Sequence, residues 1–222
     1  MSVQYRLNQN TEAKKESPST ILADMRTGGE QLFLDFTGDT MGYIDMETGE
    51  TVQCLAFVAT LPASDYGYLL FVPSQRTEVF VYAITQCLKH LGGVPKMLGP
   101  DNLKAAVIKT DWYEPSLNRV LEDMGNHYGT VVVPARPVHP KDKSNVEDNE
   151  RLVYMRVFAE LRNKTFCSID ELNAAAAEKM RKHNQKRMQK NPYTREERFL
   201  AIDRPNLKPL PASDFEREAP SS

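Results

Sequence analysis

The chain has 222 residues, of which 41% are hydrophobic, and its formal net charge at pH 7 is -2. This length and hydrophobic content suffice for one folded domain with a substantial core, plus tails. No apolar run approaches the about 20 residues of a membrane span, and the N-terminus has no apolar signal segment. We therefore expect a cytoplasmic protein without a membrane partner. The three cysteines are widely spaced, which is typical of reduced core thiols rather than a disulfide framework.

Charge is distributed unevenly along the chain. Residues 131–200 carry 15 basic and 10 acidic side chains, whereas the remainder carries 13 basic and 20 acidic side chains. Residues 179–190 hold six basic side chains and no acidic one. A basic C-terminal half is compatible with a side that faces DNA. Taken alone, the 179–190 run is equally compatible with one solvated helix face.

The first strong element of the chain is a strand over Gln31–Phe36. Residues 1–28 before it are predicted to be a polar, partly disordered leader, because they are rich in Asn, Gln, Lys, Glu and Ser. Side chains alternate between the two faces of a strand. Both faces of this strand are apolar except at Asp35, which predicts a central strand buried on both sides.

Two more strands follow, over residues 51–61 and 66–72. They are joined to the first strand by short turns, one of which contains Thr48-Gly49, so the three strands are predicted to form an antiparallel meander. Asp39 follows a glycine and is predicted to lie in a turn.

Helices dominate the remainder of the chain. A helix capped by Ser74 or Thr77 runs to about Leu91, where two glycines stop it. Further elements are predicted in chain order: a strand over 96–98, helices over 102–108 and 115–128, a strand over 130–134, a helix over 145–162, and a helix from the cap Ser168 to about 184. His183 is assigned to the surface or a helix end. After residue 190, five prolines rule out long helices.

Strands in a meander followed by strands that alternate with helices predict an α/β fold. The sheet is mixed and five-stranded, with helices on both faces. The organisation is predicted as a leader over 1–28, a core over 29–190 and a proline-rich tail over 191–222.

Three carboxylates stand at the edges of apolar segments. Asp35 lies inside the first strand, Asp101 follows a short strand and Gly99-Pro100, and Glu147 opens the pattern of the long helix. Carboxylates in such places are costly unless something compensates them. If the three converge, they form a site of hard oxygen ligands that suits Mg²⁺ or Mn²⁺. Two such ions about 3.5–4 Å apart are the usual machinery of in-line phosphoryl transfer.

Each carboxylate also has a simpler explanation. Asp35 is compatible with a buried hydrogen-bonding residue, although Asp is disfavoured inside strands. Asp101 is compatible with turn or N-cap chemistry. Glu147 competes with Asp148 and Glu150 on the same helix.

The segments around the three carboxylates resemble a known family. Residues 34–41 read LDFTGDTM, residues 100–107 read PDNLKAAV, and residues 140–147 read PKDKSNVE. In this order they resemble the DDE transposases and retroviral integrases, and in particular the IstA-type transposase of a two-gene insertion sequence. The resemblance covers roughly residues 20 to 210.

The resemblance implies a ribonuclease H-like fold and an Mg-dependent polynucleotidyl transferase. Asp35, Asp101 and Glu147 would be its catalytic, metal-binding triad and would hold two Mg²⁺ or Mn²⁺ ions. The implied partners are DNA (transposon ends and target), further copies of the chain and an AAA+ ATPase helper. The implied location is the bacterial cytoplasm, at the nucleoid when the protein acts on DNA. The tail over 191–222 would be the start of a truncated C-terminal domain.

Four residues are predicted to bind DNA. Asn102 follows Asp101, and Arg136, Lys141 and Lys143 lie in the loop before Glu147. Alternatively, Asn102 is an N-cap amide that does not contact DNA. The loop with the three basic residues is alternatively a solvated loop. Two alternative functions stay open: a metal-dependent endonuclease on the same fold, and a degenerate, non-catalytic module for DNA binding or oligomerisation.

Overall fold

A mixed five-stranded sheet with the strand order β3-β2-β1-β4-β5 forms the centre of the molecule. The computed structural model describes residues 27–100, 115–133, 154–188 and 191–215. The strands are β1 (Gln31–Ile44), β2 (Thr51–Leu61), β3 (Tyr66–Val72), β4 (Met97–Pro100) and β5 (Val131–Val132). The β1, β2 and β3 strands form an antiparallel meander, and β4 and β5 run parallel to β1. The predicted α/β class is confirmed.

Helices cover both faces of this sheet. They are α1 (Thr77–Leu91), α2 (Pro115–Tyr128), α3 (Ala159–Leu161), α4 (Ile169–Gln185) and α5 (Arg195–Arg198). A π-helical turn (Tyr154–Phe158) leads into α3, and a second one (Phe199–Asp203) and a 3-10 turn (Arg204–Asn206) follow α5. One hydrophobic cluster joins α1 and α2 to one face, and a second joins α3 and α4 to the other. None of the helices in the described ranges has the length and apolar character that crossing a membrane requires.

The first strand is longer than the sequence predicts. It extends past Phe36 to Ile44 through a bulge. Phe36 pairs with Phe57, and the next pair joins Thr40 to Leu55, so β1 contains two more residues than β2 between these pairs. Asp39 lies in this bulge and is exposed. Its predicted position in a turn was wrong. Bulges and turns favour the same residue types, so the Gly-Asp pair in the sequence does not distinguish between them.

The true turn between β1 and β2 lies where the sequence predicts it. Gly49 has a φ of 73°, in the left-handed region that glycine adopts without strain. Its N–H donates to the carbonyl of Asp45 at 2.7 Å, and the N–H of Asp45 donates to the carbonyl of Glu50 at 2.9 Å.

The start of α1 differs from the prediction, whereas its end agrees with it. The N-cap residue is Arg76, and no side chain caps the helix. Ser74 instead accepts a hydrogen bond from the N–H of Arg76 at 3.4 Å, within the turn before the helix. Thr77 is the first helical residue. At the other end, Gly92 adopts a left-handed conformation with a φ of 69° and closes the helix.

Two asparagine side chains hold α4 against β3. The amide of Asn173 accepts from the N–H of Phe71 at 2.7 Å and donates to its carbonyl at 2.9 Å. The amide of Asn184 accepts from the N–H of Gly67 at 3.1 Å and donates to its carbonyl at 2.8 Å. Between these points, α4 buries Ala176 and Met180 against the sheet. The inward face of α4 is therefore fixed at both ends.

Residues 191–215 pack against the core. The ring of Phe199 is buried and stacks on Tyr66, with 4.3 Å between the ring centroids. The buried Asp203 carboxylate accepts a hydrogen bond from the N–H of Gly29 at 2.7 Å. A side chain at Gly28 would place its Cβ 1.8 Å from the carbonyl oxygen of Ile202, so glycine allows this close approach. The segment thus covers the chain just before β1. A domain boundary at residue 190 stays a prediction.

Candidate active site

Asp35 lies on β1 beside the carboxyl end of β4. The two strands are parallel, and their last pair joins Leu34 to Pro100. Asp35 is the residue after Leu34, and Asp101 follows Pro100 in the sequence. The carboxyl ends of neighbouring parallel strands lie at one edge of a sheet, where α/β proteins build ligand sites. The described residues therefore bring Asp35 to the point where the chain leaves β4.

The side chain of Asp35 lies on the face of the sheet that α3 and α4 cover. Asp35 pairs with Val58 across β1 and β2, and side chains directly opposite each other share a face. Val58 belongs to the hydrophobic cluster that contains Val157 and Phe158. Glu147 precedes these residues in the sequence, in the helix that the sequence predicts over 145–162. Asp35 itself is half-buried.

Asp35 is the only predicted site residue inside the described ranges. The other six predicted site residues lie outside them: Asp101, Asn102, Arg136, Lys141, Lys143 and Glu147. Among the described residues, no group of three His, Cys, Asp or Glu side chains is arranged to hold a metal ion. Two of the three predicted ligands are not among those residues, and so the triad and its ions stay predictions.

The bulge in β1 opens the surface next to Asp35. Gly38, Asp39 and Thr40 are exposed, and a Cβ added to Gly38 would meet no atom within 4 Å. The hydroxyl of Thr37 donates to the carbonyl of Asp39 at 3.4 Å, which holds the bulge locally. Bulges recur beside active sites because they redirect the strand there. Here the bulge exposes three consecutive residues of β1 close to Asp35 in the sequence.

A buried histidine with two arginines beside it lies at the end of α4 and was missed from the sequence. His183 is only 2% exposed and Arg195 only 4%. Nδ1 of His183 lies 3.5 Å from Nη1 of Arg156. Burial, with the charges of Arg195 and Arg156, lowers the pKa of His183 from 6.5 to about 3. The ring is therefore neutral at pH 7.

His183 lies at a helix end, as one of the two predicted alternatives has it, but it is not at the surface. The missed signal is its spacing: His183 follows Ala176 and Met180 at helical intervals, and both of those residues face the sheet. It lies in the last turn of α4 but on its inner face.

Comparison with known proteins agrees with this geometry. Over 215 residues, or 96% of its length, the chain is 37% identical to a Burkholderia multivorans protein named "Putative transposase for insertion sequence IS408". It is also 37% identical over 215 residues to "Putative transposase for insertion sequence IS1162" of Pseudomonas fluorescens. The chain is a homologue of insertion-sequence transposases. It spans 42% and 38% of the length of these two relatives. No protein-family model matches the chain.

The fold of this transposase homologue is that of an integrase core. Its structure matches the catalytic core domain of BIV integrase with a TM-score of 0.53 and 16% sequence identity. The match covers 76% of the chain and 93% of the integrase core domain. The resemblance to transposases and the ribonuclease H-like fold predicted from the sequence are confirmed.

Proposed function

We propose that the chain is the catalytic core of a DNA transposase, which cleaves DNA and joins 3′-hydroxyl ends to target DNA. The observation that carries the proposal is the position of Asp35, on the central strand beside the carboxyl end of β4. That position occurs within an integrase-like fold and in a homologue of insertion-sequence transposases. The family and the fold support a polynucleotidyl transferase, and the position of Asp35 supports a site at this edge of the sheet.

In the proposed site, three carboxylates meet at the end of β4. Asp101 follows Pro100, which pairs with Leu34, the residue before Asp35. Glu147 would come from the helix that the sequence predicts before α3. Carboxylate oxygens are the donors that Mg²⁺ and Mn²⁺ prefer, and the half-buried Asp35 fits such a set. Two bound ions would neutralise charge on the reacting phosphate and favour ionisation of the attacking hydroxyl. Without cations the clustered carboxylates repel one another.

The chemistry proposed for this site is an in-line substitution at phosphorus. The attacking oxygen belongs to water during cleavage and to a DNA 3′-hydroxyl during joining. The attacking oxygen loses its proton as a new phosphorus–oxygen bond forms, the bond to the leaving 3′-oxygen breaks, and that oxygen takes up a proton. Asp35, Asp101 and Glu147 would hold the cations, and no covalent protein–DNA bond is required.

The proposed DNA contacts surround this site. Asn102 follows Asp101, and Arg136, Lys141 and Lys143 come from the loop before Glu147. Their role would be to contact phosphates, which gives affinity that depends on salt and not on sequence. Further proposed partners are the transposon ends, target DNA, additional copies of the chain and an AAA+ ATPase, in the bacterial cytoplasm at the nucleoid.

The proposal is tested with Asp35→Asn, using Asp39→Asn as a control of equal charge change on the same strand. With Mn²⁺ and DNA carrying the element's ends, Asp35→Asn should abolish cleavage and joining and weaken Mn²⁺ binding in calorimetry. Its melting temperature without metal should stay unchanged or rise, because a repulsive charge is removed. Asp39→Asn should retain activity.

Three outcomes would contradict the proposal. Undiminished cleavage by Asp35→Asn would exclude Asp35 as a metal ligand. Cleavage without joined products would indicate a metal-dependent endonuclease instead of a transposase. Absence of Mn²⁺ binding by the unaltered chain would indicate a degenerate, non-catalytic module.

A further inference from the structure

The anchoring of α4 determines which of its residues face solvent. Asn173 and Asn184 hold the helix to β3 near its two ends, and the residues buried between them face the sheet. The opposite face of α4 is therefore presented in a fixed orientation. Arg181 and Lys182 of the basic run in the sequence are exposed on this helix.

Six cations lie on α4, directly after it, or in the loop after α3, and we name them the basic surface of α4. Its members are Lys164, Lys179, Arg181, Lys182, Lys186 and Arg187. All of them are exposed except Lys179, which is half-buried. Two carboxylates lie among the six cations: Glu160 pairs with Lys179, and Glu178 pairs with Lys182 at 2.5 Å. The surface keeps a clear excess of positive charge.

Stabilisation of the helix dipole does not account for the whole surface. Basic residues in a last helical turn commonly stabilise the helix in this way, and Lys182 fits that role. Lys186 and Arg187 lie beyond the last residue of α4, and Lys164 lies in the loop after α3. Lys179, with help from Lys182 and Lys164, holds the pKa of the Glu160 carboxyl below its usual value. Lys164, Lys179 and Lys182, from two elements, therefore act on one carboxylate.

The basic surface and Asp35 belong to the same side of the molecule. The α4 helix packs on the hydrophobic cluster that contains Val58, the cross-strand partner of Asp35. A duplex that reaches the Asp35 position therefore approaches the side on which α4 presents its cations. DNA carries one negative charge per about 1.7 Å of axis, so a surface of several fixed cations can contact several phosphates.

We propose that the basic surface of α4 binds the phosphate backbone of duplex DNA beside the reacting phosphate. This inference rests on the proposed function, because it takes DNA as the substrate. It assigns to α4 a contact that is independent of base sequence and separate from the contacts proposed for Arg136, Lys141 and Lys143. Arg181 and Arg187 are its most informative members, since both are exposed and neither belongs to the two ion pairs.

The test is charge reversal at Arg181 and Arg187, in the pair Arg181→Glu/Arg187→Glu. The control is Arg76→Glu/Arg119→Glu, which changes the net charge equally. Its residues are exposed and lie at or before helices that cover the other face of the sheet. Fluorescence anisotropy with one duplex, over a range of NaCl concentrations, gives the affinity and its salt slope.

The Arg181→Glu/Arg187→Glu variant, which we call the α4 pair, should weaken DNA binding about tenfold or more at 0.1 M salt. It should also reduce the slope of log affinity against log salt by about 1.8, or about 0.9 for each lost phosphate contact. The control pair should leave the slope unchanged. A wild-type slope in the α4 pair would overturn the inference. Equal losses in both pairs would overturn it too, because bulk charge would then explain the effect.

A second arm separates this inference from the proposed function. Asp35→Asn should lose cleavage but keep the salt slope of the unaltered chain. The α4 pair should keep Mn²⁺ binding, and its cleavage should recover at saturating DNA and low salt. Cleavage by Asp35→Asn would reject the proposed active site. The salt slope of DNA binding by the α4 pair would still decide whether α4 contacts DNA. Loss of Mn²⁺ binding in the α4 pair would reject a separate DNA contact.

Discussion

Acid should destabilise this protein through His183. The ring is 2% exposed, and both Arg156 and Arg195 oppose a positive charge on it. Burial, more than either arginine, lowers the pKa of His183 from 6.5 to about 3. As the pH falls, His183 therefore gains a proton near pH 6.5 in the unfolded chain, but only near pH 3 in the folded protein.

The sign and size of the effect follow from this difference in pKa. The stabilisation is fully present above pH 6.5 and is lost progressively as the pH falls towards 3, because the unfolded state binds the proton more tightly. At about 1.36 kcal/mol per pKa unit, the free energy of unfolding falls by about 3 kcal/mol between pH 6.5 and 4, and by at most about 5 kcal/mol in all. Such a loss is a large part of the stability of an ordinary domain.

The prediction is checked by urea unfolding of the wild type and His183→Asn at several pH values between 7.5 and 4. The asparagine keeps an acceptor near Nδ1 for Arg156 but has no proton to gain. Other titrating groups are common to both proteins, so they cancel in the difference between the two curves. The gap between the curves should change by about 3 kcal/mol over this range, in favour of the variant at low pH. Parallel curves would refute the assignment of a buried, neutral His183.

Two further predictions concern the segment after α4. Phe199→Ala should lower the free energy of unfolding by roughly 3–5 kcal/mol because it removes a buried ring that stacks on Tyr66. The neighbouring Leu200→Ala, at a side chain 50% exposed, should change it by only about 0.5 kcal/mol; similar urea midpoints for both variants would show that the segment does not pack as described. Burial raises the pKa of the Asp203 carboxyl. The free energy of unfolding therefore falls as the pH rises and this carboxyl becomes charged. Asp203→Asn removes the charge, so it should leave the protein equally stable or more stable at pH 7. Asp203→Ala should instead cost about 1–3 kcal/mol, because the N–H of Gly29 loses its acceptor; equal effects of the two substitutions in thermal melts would contradict this.

Local chemistry made much of the fold predictable from the sequence. The bounds predicted for β2 and β3 agree with the structure, because long β-branched and aromatic runs end at clear turn signals. The cap of α4 was equally clear, since Ser168 accepts from the N–H of Glu171 at 3.1 Å. These features depend on residues that are neighbours in the sequence.

Features that depend on distant contacts were not predictable in the same way. The bulge at Asp39 is defined by its pairing with β2, and the burial of His183 depends on the packing of α4 against the sheet. The position of Asp203 beside Gly29 joins residues 174 apart in sequence. Of the proposed site, the sequence predicted both the strand that carries Asp35 and the strand that ends beside it. The pairing of Leu34 with Pro100 emerges only in the folded sheet.

The two asparagines of α4 also limit how copies of this core can associate. The β3 strand is the outermost strand on its side of the sheet, and the amides of Asn173 and Asn184 occupy its free main-chain groups at Phe71 and Gly67. An added strand from another molecule would need those same groups. Sheet extension between copies through β3 is therefore disfavoured while α4 stays in place. If α4 detaches, however, the uncovered strand becomes a template for open-ended, fibre-like growth.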